Sequence, residues 1–321
     1  MWIVFAFGAA FFAGVTSILG KAGVKTTPSS LATVLRTIVV LAFAALMVAL
    51  AGSAGTVGQI APKTWVFLVA SGAATGASWL CFFRALQLGP AAKVAVIDKS
   101  SIVITVLLAI VVLGETHSLG LRLAGVALIA LGTWLMIERK PAGEENDAPA
   151  KPGDERLGRG APPQPSAPTA ATAASASTPA GRGWLGFALG AAVFAALTAI
   201  LGKVGIEDVE SNLGTLIRTV VVLVMAFIVV AVKGEWQPLS GIARSELAFI
   251  ALSGLATGAS WLCYWKAMQD GPASVVAPID KLSILVTVLF AWLAFGEKQS
   301  RRALVGLGVL AAGTLVMVLA G

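Results

Sequence analysis

The chain has 321 residues, of which 57% are hydrophobic and only 12% are charged. A soluble protein usually carries about 25% charged residues, so the composition excludes a water-soluble globular protein and indicates a chain whose solvent is largely lipid. The net charge of +7 is typical of membrane proteins with Lys- and Arg-rich cytoplasmic loops, and it gives no reason to expect a nucleic-acid partner.

Ten stretches of the chain are apolar over roughly the 20 residues that a helix needs to cross a bilayer. The first begins at Trp2 with no basic segment before it, so we interpret it as a retained helix and not as a secretory signal. The ten spans cover approximately residues 2–20, 31–51, 64–86, 92–113, 119–137, 183–201, 213–232, 246–268, 273–295 and 303–320. The sequence therefore predicts an all-α integral membrane protein with ten transmembrane helices, located as a multi-pass protein in the cell membrane, which in a bacterium is the inner membrane.

Residues 140–181 interrupt this pattern. They are rich in Pro and Ala, carry scattered charges and show no apolar periodicity, a composition typical of a disordered linker. The linker separates a first five-helix repeat, residues 1–139, from a second five-helix repeat, residues 182–321.

The two halves are copies of one another. At an offset of 182 residues, 28 of the 45 positions in 71–115 are identical to those in 253–297, and one deletion changes the offset to 181 for the last helix. Five crossings leave the two ends of each half on opposite sides of the membrane, so the second copy must insert upside down. The result is an inverted repeat, an architecture that places a binding site near the bilayer midplane.

No arrangement of residues in the sequence is typical of catalysis. His117, the only histidine, lies in a predicted loop, and there is no metal-spaced Cys/His cluster, phosphate-binding glycine loop or nucleophile elbow. Glu115 and Glu297, which end the fourth helix of each copy, indicate loop contacts and not catalytic acids. Cys81 and Cys263 are equivalent positions on oppositely directed helices, about 18 Å apart by helical rise, which is too far for a disulfide. The sequence therefore predicts no enzyme activity, cofactor or metal.

Two polar stripes lie inside otherwise apolar spans. Each has an aspartate, a serine and a threonine at i, i+3 and i+7, with a lysine directly after the aspartate. The residues are Asp98, Lys99, Ser101 and Thr105 in span 4, and Asp280, Lys281, Ser283 and Thr287 in span 9. A charge at the bilayer centre costs about 2.5–3.5 kcal/mol, so we expect both stripes to face protein or water.

Two interpretations of the aspartates remain open. In the first, they line the transport path and bind a proton, a cation or a substrate amine. In the second, they pair with a neighbouring Lys or Arg and only fix helix positions. Trp79 and Trp261 lie near mid-span, away from the interfacial belts that Trp prefers, and either wall the path or pack in the core. Val96 of the first copy is Pro278 in the second, and because a mid-helix proline permits a kink, we expect the helix of the second copy to be the more mobile one.

Six further basic residues occur near predicted helix ends, where long side chains can reach the membrane surface. They are Lys21, Arg36 and Arg84 in the first copy, and Lys203, Arg218 and Lys266 in the second. One interpretation is that these side chains anchor the helix ends at the membrane surface. The other is that the two copies gather these charges toward opposite membrane faces, where they act as alternate gates.

With these motifs, the chain resembles tandem EamA domains of the drug/metabolite transporter superfamily. Each copy has a Gly-Lys pair, a Gly-Ala-Ser-Trp-Leu-Cys stretch, a Gly-Pro-Ala turn, an Ile-Asp-Lys helix start and a Gly-Glu helix end. In the first copy these are residues 20–21, 76–81, 89–91, 97–99 and 114–115. Each copy looks like the short five-helix members that pair as antiparallel dimers, so the chain resembles their fused form.

The resemblance implies a secondary transporter that moves small polar metabolites such as amino acids, often outward, without ATP or a cofactor. The partners that it implies are a small-molecule solute and the lipid bilayer, with a proton as candidate coupling ion and with monomer and homodimer both open. A flippase for a lipid-linked carrier and a non-transporting membrane scaffold are the alternatives. The loop count of Lys and Arg places the linker in the cytoplasm and both termini outside. Members of the superfamily are generally drawn with both termini in the cytoplasm, so the two expectations differ.

Overall fold

The computed structural model describes residues 1–23, 26–89, 94, 97–98, 100–136, 183–295 and 300–320, and the predicted linker lies outside these ranges. Every regular element among the described residues is a helix. Within the described residues, nine helical stretches are long and apolar enough to cross a membrane, and a tenth, Ser101–Leu113, is apolar but shorter. The all-α, ten-span membrane architecture predicted from the sequence is confirmed.

The first repeat contains α1 (Trp2–Gly23), α2 (Ser29–Ala51), α3 (Pro62–Leu88), α4 (Ser101–Leu113) and α5 (Leu119–Met136), with a 3-10 helix, Ser53–Gln59, between α2 and α3. The second repeat contains α6 (Gly183–Ile206), α7 (Ser211–Lys233), α8 (Arg244–Asp270), α9 (Ala273–Asp280), α10 (Ser283–Phe295) and α11 (Arg301–Leu319). A second 3-10 helix, Leu239–Gly241, precedes α8.

The second helix of each repeat ends at an equivalent glycine. Gly52 after α2 has φ 68°, and Gly234 after α7 has φ 66°, a left-handed conformation that glycine adopts without steric cost. Each of these residues donates its N–H to carbonyls of the preceding turn, as is common at helix C-termini. The duplicated sequence therefore stops both helices by the same local means.

The two repeats are interlocked and share one core. α3 packs along α6, α1 along α8 and α5 along α11, and these are the most extensive helix pairs in the described structure. α2 packs on α7, its own equivalent, while α4 contacts α6 and α10 contacts α1. Each of these pairs joins one repeat to the other, so the hydrophobic core is formed by both repeats together.

Glycines allow these helices to approach closely. A Cβ added at Gly72 or Gly76 of α3 would lie 2.7 or 2.3 Å from side-chain atoms of α7. At the equivalent Gly254 and Gly258 of α8, it would lie 2.7 Å from side-chain atoms of α2. These are the Gly-x-x-x-Gly contacts expected where membrane helices pack at short distance.

Contacts between loops agree with the inverted orientation of the second repeat. Glu210, which precedes α7, accepts a hydrogen bond from Ser53, which follows α2, at 2.9 Å. Glu246, at the start of α8, accepts one from Thr26, which follows α1, at 2.7 Å. If the second copy is inverted, the first contact lies at one membrane face and the second at the other. We name these faces the Gly202 end and the Gly20 end, after the equivalent glycines near the C-termini of α6 and α1.

Candidate transport site

The polar stripe of the second copy lies at a break in the helix. The sequence predicts one continuous helix over residues 273–295, but α9 ends at Asp280 and α10 begins at Ser283. Between them, the N–H groups of Lys281 and Leu282 donate to carbonyls only three residues earlier, at 3.0 and 2.9 Å. This tighter hydrogen bonding interrupts the regular helix directly after the aspartate.

The first copy has the same break without a proline. Asp98 is helical, Ser100 is in a turn and donates its N–H to the carbonyl of Ile97 at 3.0 Å, and α4 begins at Ser101. The residue equivalent to Pro278 is a valine. The helix is therefore broken in both copies, and proline is not the sole cause of the break.

Each break places a carboxylate at the end of one helical segment and a serine at the start of the next. Asp280 lies 3.5 Å from Lys281, and their side chains are 26% and 29% exposed. Asp98 is half-buried, while Lys99 lies outside the described residues. Discontinuous helices of this kind form substrate and ion sites in many transporters.

The other members of the stripes make local contacts. Thr105 and Thr287 donate their hydroxyls to the carbonyls of Ser101 and Ser283, one turn earlier, at 2.9 Å in both copies. Both serines are half-buried. The threonine hydrogens are thus engaged within α4 and α10, which leaves the hydroxyl oxygens as acceptors.

Trp79 and Trp261 are partly buried and contact hydrophobic residues of the core. Trp79 packs against a cluster that includes Val34 and Val230, and Trp261 packs against one that includes Met268. The buried residues of the first cluster belong to α2 and α7, and those of the second belong to α1, α4, α6, α8 and α9. The contacts of the two tryptophans are therefore those of core side chains, which favours the packing interpretation over a wall of the path.

The segment that is most alike in the two copies forms the surface through which they pack. Ser78 of α3 donates to the carbonyl of Ala191 in α6 at 2.9 Å, and the equivalent Ser260 of α8 donates to that of Ala9 in α1 at 2.9 Å. Identical residues therefore make identical contacts across the repeats.

The two cysteines are free thiols, as predicted, and each packs against a glycine of the other repeat. A Cβ added at Gly190 would lie 3.5 Å from the Sγ of Cys81, and one added at Gly8 would lie 3.6 Å from the Sγ of Cys263. These are ordinary packing distances, so the thiols fill space at the helix contacts.

Three of the six basic residues near helix ends have described contacts, each with a different set of partners. Lys203 donates to three carbonyls at the C-terminal end of α8, at 2.6, 3.0 and 3.2 Å. Lys266 pairs with an aspartate one turn later at 3.0 Å, and Arg84 donates to a glutamine three residues later at 3.0 Å. Lys21 belongs to α1, but its side chain lies outside the described part of the chain.

Arg218 is buried inside the Gly202 end, with 3% of its surface exposed. Its Nε donates to the hydroxyl of Ser71 at 2.9 Å, and its guanidinium carbon lies 3.7 Å from the centre of a Trp265 ring, a cation–π contact. Trp265 also covers Gly202, where an added Cβ would lie 2.2 Å from the ring. Side chains therefore fill the Gly202 end.

The equivalent residues at the Gly20 end are apart. An added Cβ at Gly20 would have no atom of the described residues within 4 Å. Arg36 is half-buried, and its guanidinium makes one long contact, 3.5 Å to the hydroxyl of Thr33. A cavity of about 190 Å³ opens here, lined by Gly20, Arg36 and Ser253 among others. The same residue types are thus packed at one end of the molecule and separated at the other.

Sequence reasoning did not select Ser71, Ser253 or Trp265. The serines are identical in the two copies, but so are most residues around them, so identity alone does not distinguish them. Trp265 has Phe83 at the equivalent position, and the repeat does not mark it at all. The visible signals for this region are the Gly-Lys pairs at Gly20 and Gly202 and the two equivalent arginines, Arg36 and Arg218.

A buried ion pair attaches the start of α9 to the first repeat. Arg122 lies 3.0 Å from Glu115, and their side chains are 4% and 12% exposed. Glu115 also accepts hydrogen bonds from the N–H groups of Ala273 and Ser274 at 2.7 and 3.0 Å. Glu115 thus makes loop contacts, as predicted from the sequence, and the structure adds that these contacts cap the start of α9. Glu297 lies outside the described residues.

Known proteins share this fold and this sequence pattern. A protein from Sinorhizobium sp, named as an uncharacterized transporter in cobO 3'region, is 48% identical over 134 residues, which are 42% of this chain and 95% of that protein. That relative is therefore about as long as one five-helix repeat. A protein of known crystal structure superposes with a TM-score of 0.69 at 16% identity, covering 98% of this chain and 96% of its own, which shows the fold. The family model of EamA-like transporters matches residues 1–138 and 182–319, so the chain belongs to the EamA-like transporter family and is a membrane transporter.

Proposed function

We propose that the protein is a secondary transporter that exports small polar metabolites by alternating access between its two inverted repeats. The observation that carries this proposal is the difference between the two ends, where equivalent residues are packed around Gly202 and apart around Gly20. Because the repeats have equivalent sequences, exchanging their conformations closes one end and opens the other. The two states are then two packings of similar free energy, and a solute shifts their populations by its differential affinity.

The exchanged state has a specific geometry. Phe83 takes the position in the first copy that Trp265 holds in the second, so it packs on Gly20. Arg36 then approaches Ser253, as Arg218 now approaches its serine. A phenyl ring covers less surface than an indole, so we expect this second closure to be looser than the first.

The broken helices supply the proposed binding site between the two ends. A carboxylate at the end of a helical segment, at Asp98 and Asp280, is suited to hold a proton, a cation or a substrate amine. Ser101, Ser283 and the threonines that follow them offer hydroxyl oxygens along the same path. Export as the direction of transport rests on the family resemblance.

The experiment is transport by the purified, full-length protein in proteoliposomes. A panel of radiolabelled amino acids and related metabolites is followed with and without an imposed pH gradient. We expect at least one solute to move. Asp98→Asn and Asp280→Asn are each expected to lower its rate by about tenfold or more, equivalent to about 1.4 kcal/mol in the barrier. Asp208→Asn, in an exposed loop, is the matched control and is expected to leave the rate unchanged.

Three results would contradict the proposal. Normal rates in both stripe variants would remove the aspartates from the path. Movement of a lipid-linked sugar without movement of any solute would identify a flippase. If the protein is folded, as judged by its melting temperature, and moves neither a solute nor a lipid-linked sugar, the scaffold interpretation is the one that remains.

A further inference from the structure

Arg36 presents unused hydrogen-bond donors beside the cavity at the Gly20 end. A guanidinium carries five N–H donors, whereas within the described part of the chain Arg36 makes one long contact, to Thr33. The cavity of about 190 Å³ is lined by this arginine, by three hydroxyl groups and by apolar surface: Gly20, Ser29, Thr33, Arg36, Ile250 and Ser253. Arg36 is the one charged residue of the lining among the described residues, so the cavity has a positive wall.

Among the described residues, the carboxylates near this cavity are engaged by other groups. Glu246 accepts three hydrogen bonds from the loop between α1 and α2. Glu235 lies 3.2 Å from Lys233. Burial raises the pKa of the Glu235 carboxyl, but hydrogen bonds from Ser30 and Lys233 outweigh this effect and leave the pKa below its ordinary value. Glu235 is therefore ionised beside Lys233 and lies outside the cavity lining, so it does not neutralise Arg36 by direct contact.

The equivalent arginine indicates what Arg36 lacks. Arg218 donates to Ser71 and stacks on Trp265, so its charge is held by a hydroxyl and a ring while the Gly202 end is closed. Arg36 has neither contact, although Ser253 lines the same cavity. A partly buried guanidinium is costly unless its donors are satisfied, and in the open state they face the cavity, where water or a solute group can accept from them.

We infer that this cavity binds the carboxylate of a small solute, with Arg36 as the charged contact and the hydroxyls of Ser29, Thr33 and Ser253 beside it. This inference rests on the proposed function, since it names the chemical class of the transported solute. The planar fork of a guanidinium matches a carboxylate with two parallel hydrogen bonds. One arginine neutralises the single charge of a carboxylate, whereas a phosphate monoester, with a charge of about −1.5 to −2, brings an uncompensated charge into an apolar protein.

The test is protection of Arg36 from phenylglyoxal, a reagent selective for arginine, in the full-length protein. Modification of each arginine is followed by mass spectrometry after proteolysis. The probes are propionate, lactate and L-alanine, each compared with its primary amide at the same ionic strength. We expect each carboxylate to slow modification of Arg36 by about tenfold at a concentration about ten times its dissociation constant, and the amides to have no effect. The buried Arg218 provides the internal standard and is expected to stay unmodified.

Variants provide a second readout through ligand-dependent melting temperatures. Arg36→Gln is expected to abolish the rise in melting temperature that the carboxylates produce. Arg36→Lys keeps the charge but loses the paired hydrogen bonds and is expected to weaken binding by about tenfold. Arg301→Gln removes an exposed arginine near the same end and is expected to behave like the unmodified sequence.

Four results would overturn the inference: absence of protection by all three carboxylates, equal protection by the amides, stronger protection by inorganic phosphate, or an unchanged melting response in Arg36→Gln. A failure of the proposed function has a different signature. If carboxylates protect Arg36 but proteoliposomes move no solute, the binding site stands and transport by alternating access fails. If solutes move but no carboxylate protects Arg36, transport stands and the carboxylate site fails.

Discussion

One added methyl group at Gly202 tests whether the contact with Trp265 holds the Gly202 end closed. A Cβ at this position would lie 2.2 Å from the ring and 2.9 Å from the hydroxyl of Ser71. The first distance is about 1.3 Å shorter than a favourable contact between carbon atoms, so the ring has to move. Overpacking of this kind costs about 1–3 kcal/mol. At 1.4 kcal/mol per factor of ten, the population of the closed end falls by about 5- to 150-fold relative to the open one.

Gly20→Ala is the matched control, because the repeat places the same residue at the other end. In the present state, an added Cβ there meets nothing within 4 Å, so the substitution costs nothing. In the proposed exchanged state, Phe83 packs on it, and the same methyl group then disfavours closure of the Gly20 end. The two alanine variants are therefore expected to shift the equilibrium in opposite directions.

The native arginines report the shift without added labels. Phenylglyoxal modification of Arg218 measures access to the Gly202 end, and modification of Arg36 measures access to the Gly20 end. Gly202→Ala is expected to accelerate modification of Arg218 by about 5- to 150-fold, whereas Gly20→Ala leaves it unchanged or slower. If Arg218 stays unreactive in folded Gly202→Ala, or if both variants change its reactivity alike, the assignment of Trp265 as the closing contact is refuted.

Two further predictions concern stability, measured as thermal unfolding in detergent. A Cβ at Gly132 would lie 2.5 Å from a backbone nitrogen of α11, which cannot rotate away, so Gly132→Ala is expected to destabilise by about 2 kcal/mol. Gly120→Ala, with nothing within 4 Å, is expected to be neutral, and equal melting temperatures would contradict the close helix crossing. Glu115→Gln leaves the buried Arg122 without its carboxylate and is expected to cost about 3 kcal/mol, whereas the exposed Glu207→Gln costs nothing. An unchanged melting temperature in Glu115→Gln would show that the ion pair does not hold α9 in place.

Much of the fold was predictable because lipid imposes simple requirements on a sequence. Spans must be apolar over a fixed length, and backbone groups must be satisfied within each helix, so hydropathy alone located the spans. The duplication at an offset of 182, with an odd number of spans in each half, predicted the inverted repeat. The same scarcity of charge directed attention to Asp98 and Asp280, since a charge inside a span requires a reason to be there.

The helix breaks at these aspartates were not predictable from the local pattern. The residues around Ser100 and Leu282 are compatible with continuous helix, and one copy has no proline to mark the break. Whether a backbone N–H donates to the carbonyl three or four residues earlier depends on how the neighbouring helices pack against the segment. The partners of Arg218 were missed for a related reason, because serines and tryptophans are common in core helices and the hydrogen bond from Arg218 joins residues 147 positions apart.

The sequence by itself determined that the molecule has two equivalent halves with opposite orientations. It assigned Gly20 and Gly202 the same neighbours along the chain and therefore the same expected environment. Only the tertiary structure decided that one is covered by Trp265 and the other borders an open cavity. The physical reason is that the symmetry of the sequence limits which packings are available, but a single conformation adopts only one of them. In the proposed mechanism, a conformation with both ends packed would leave a solute no route between the two membrane faces.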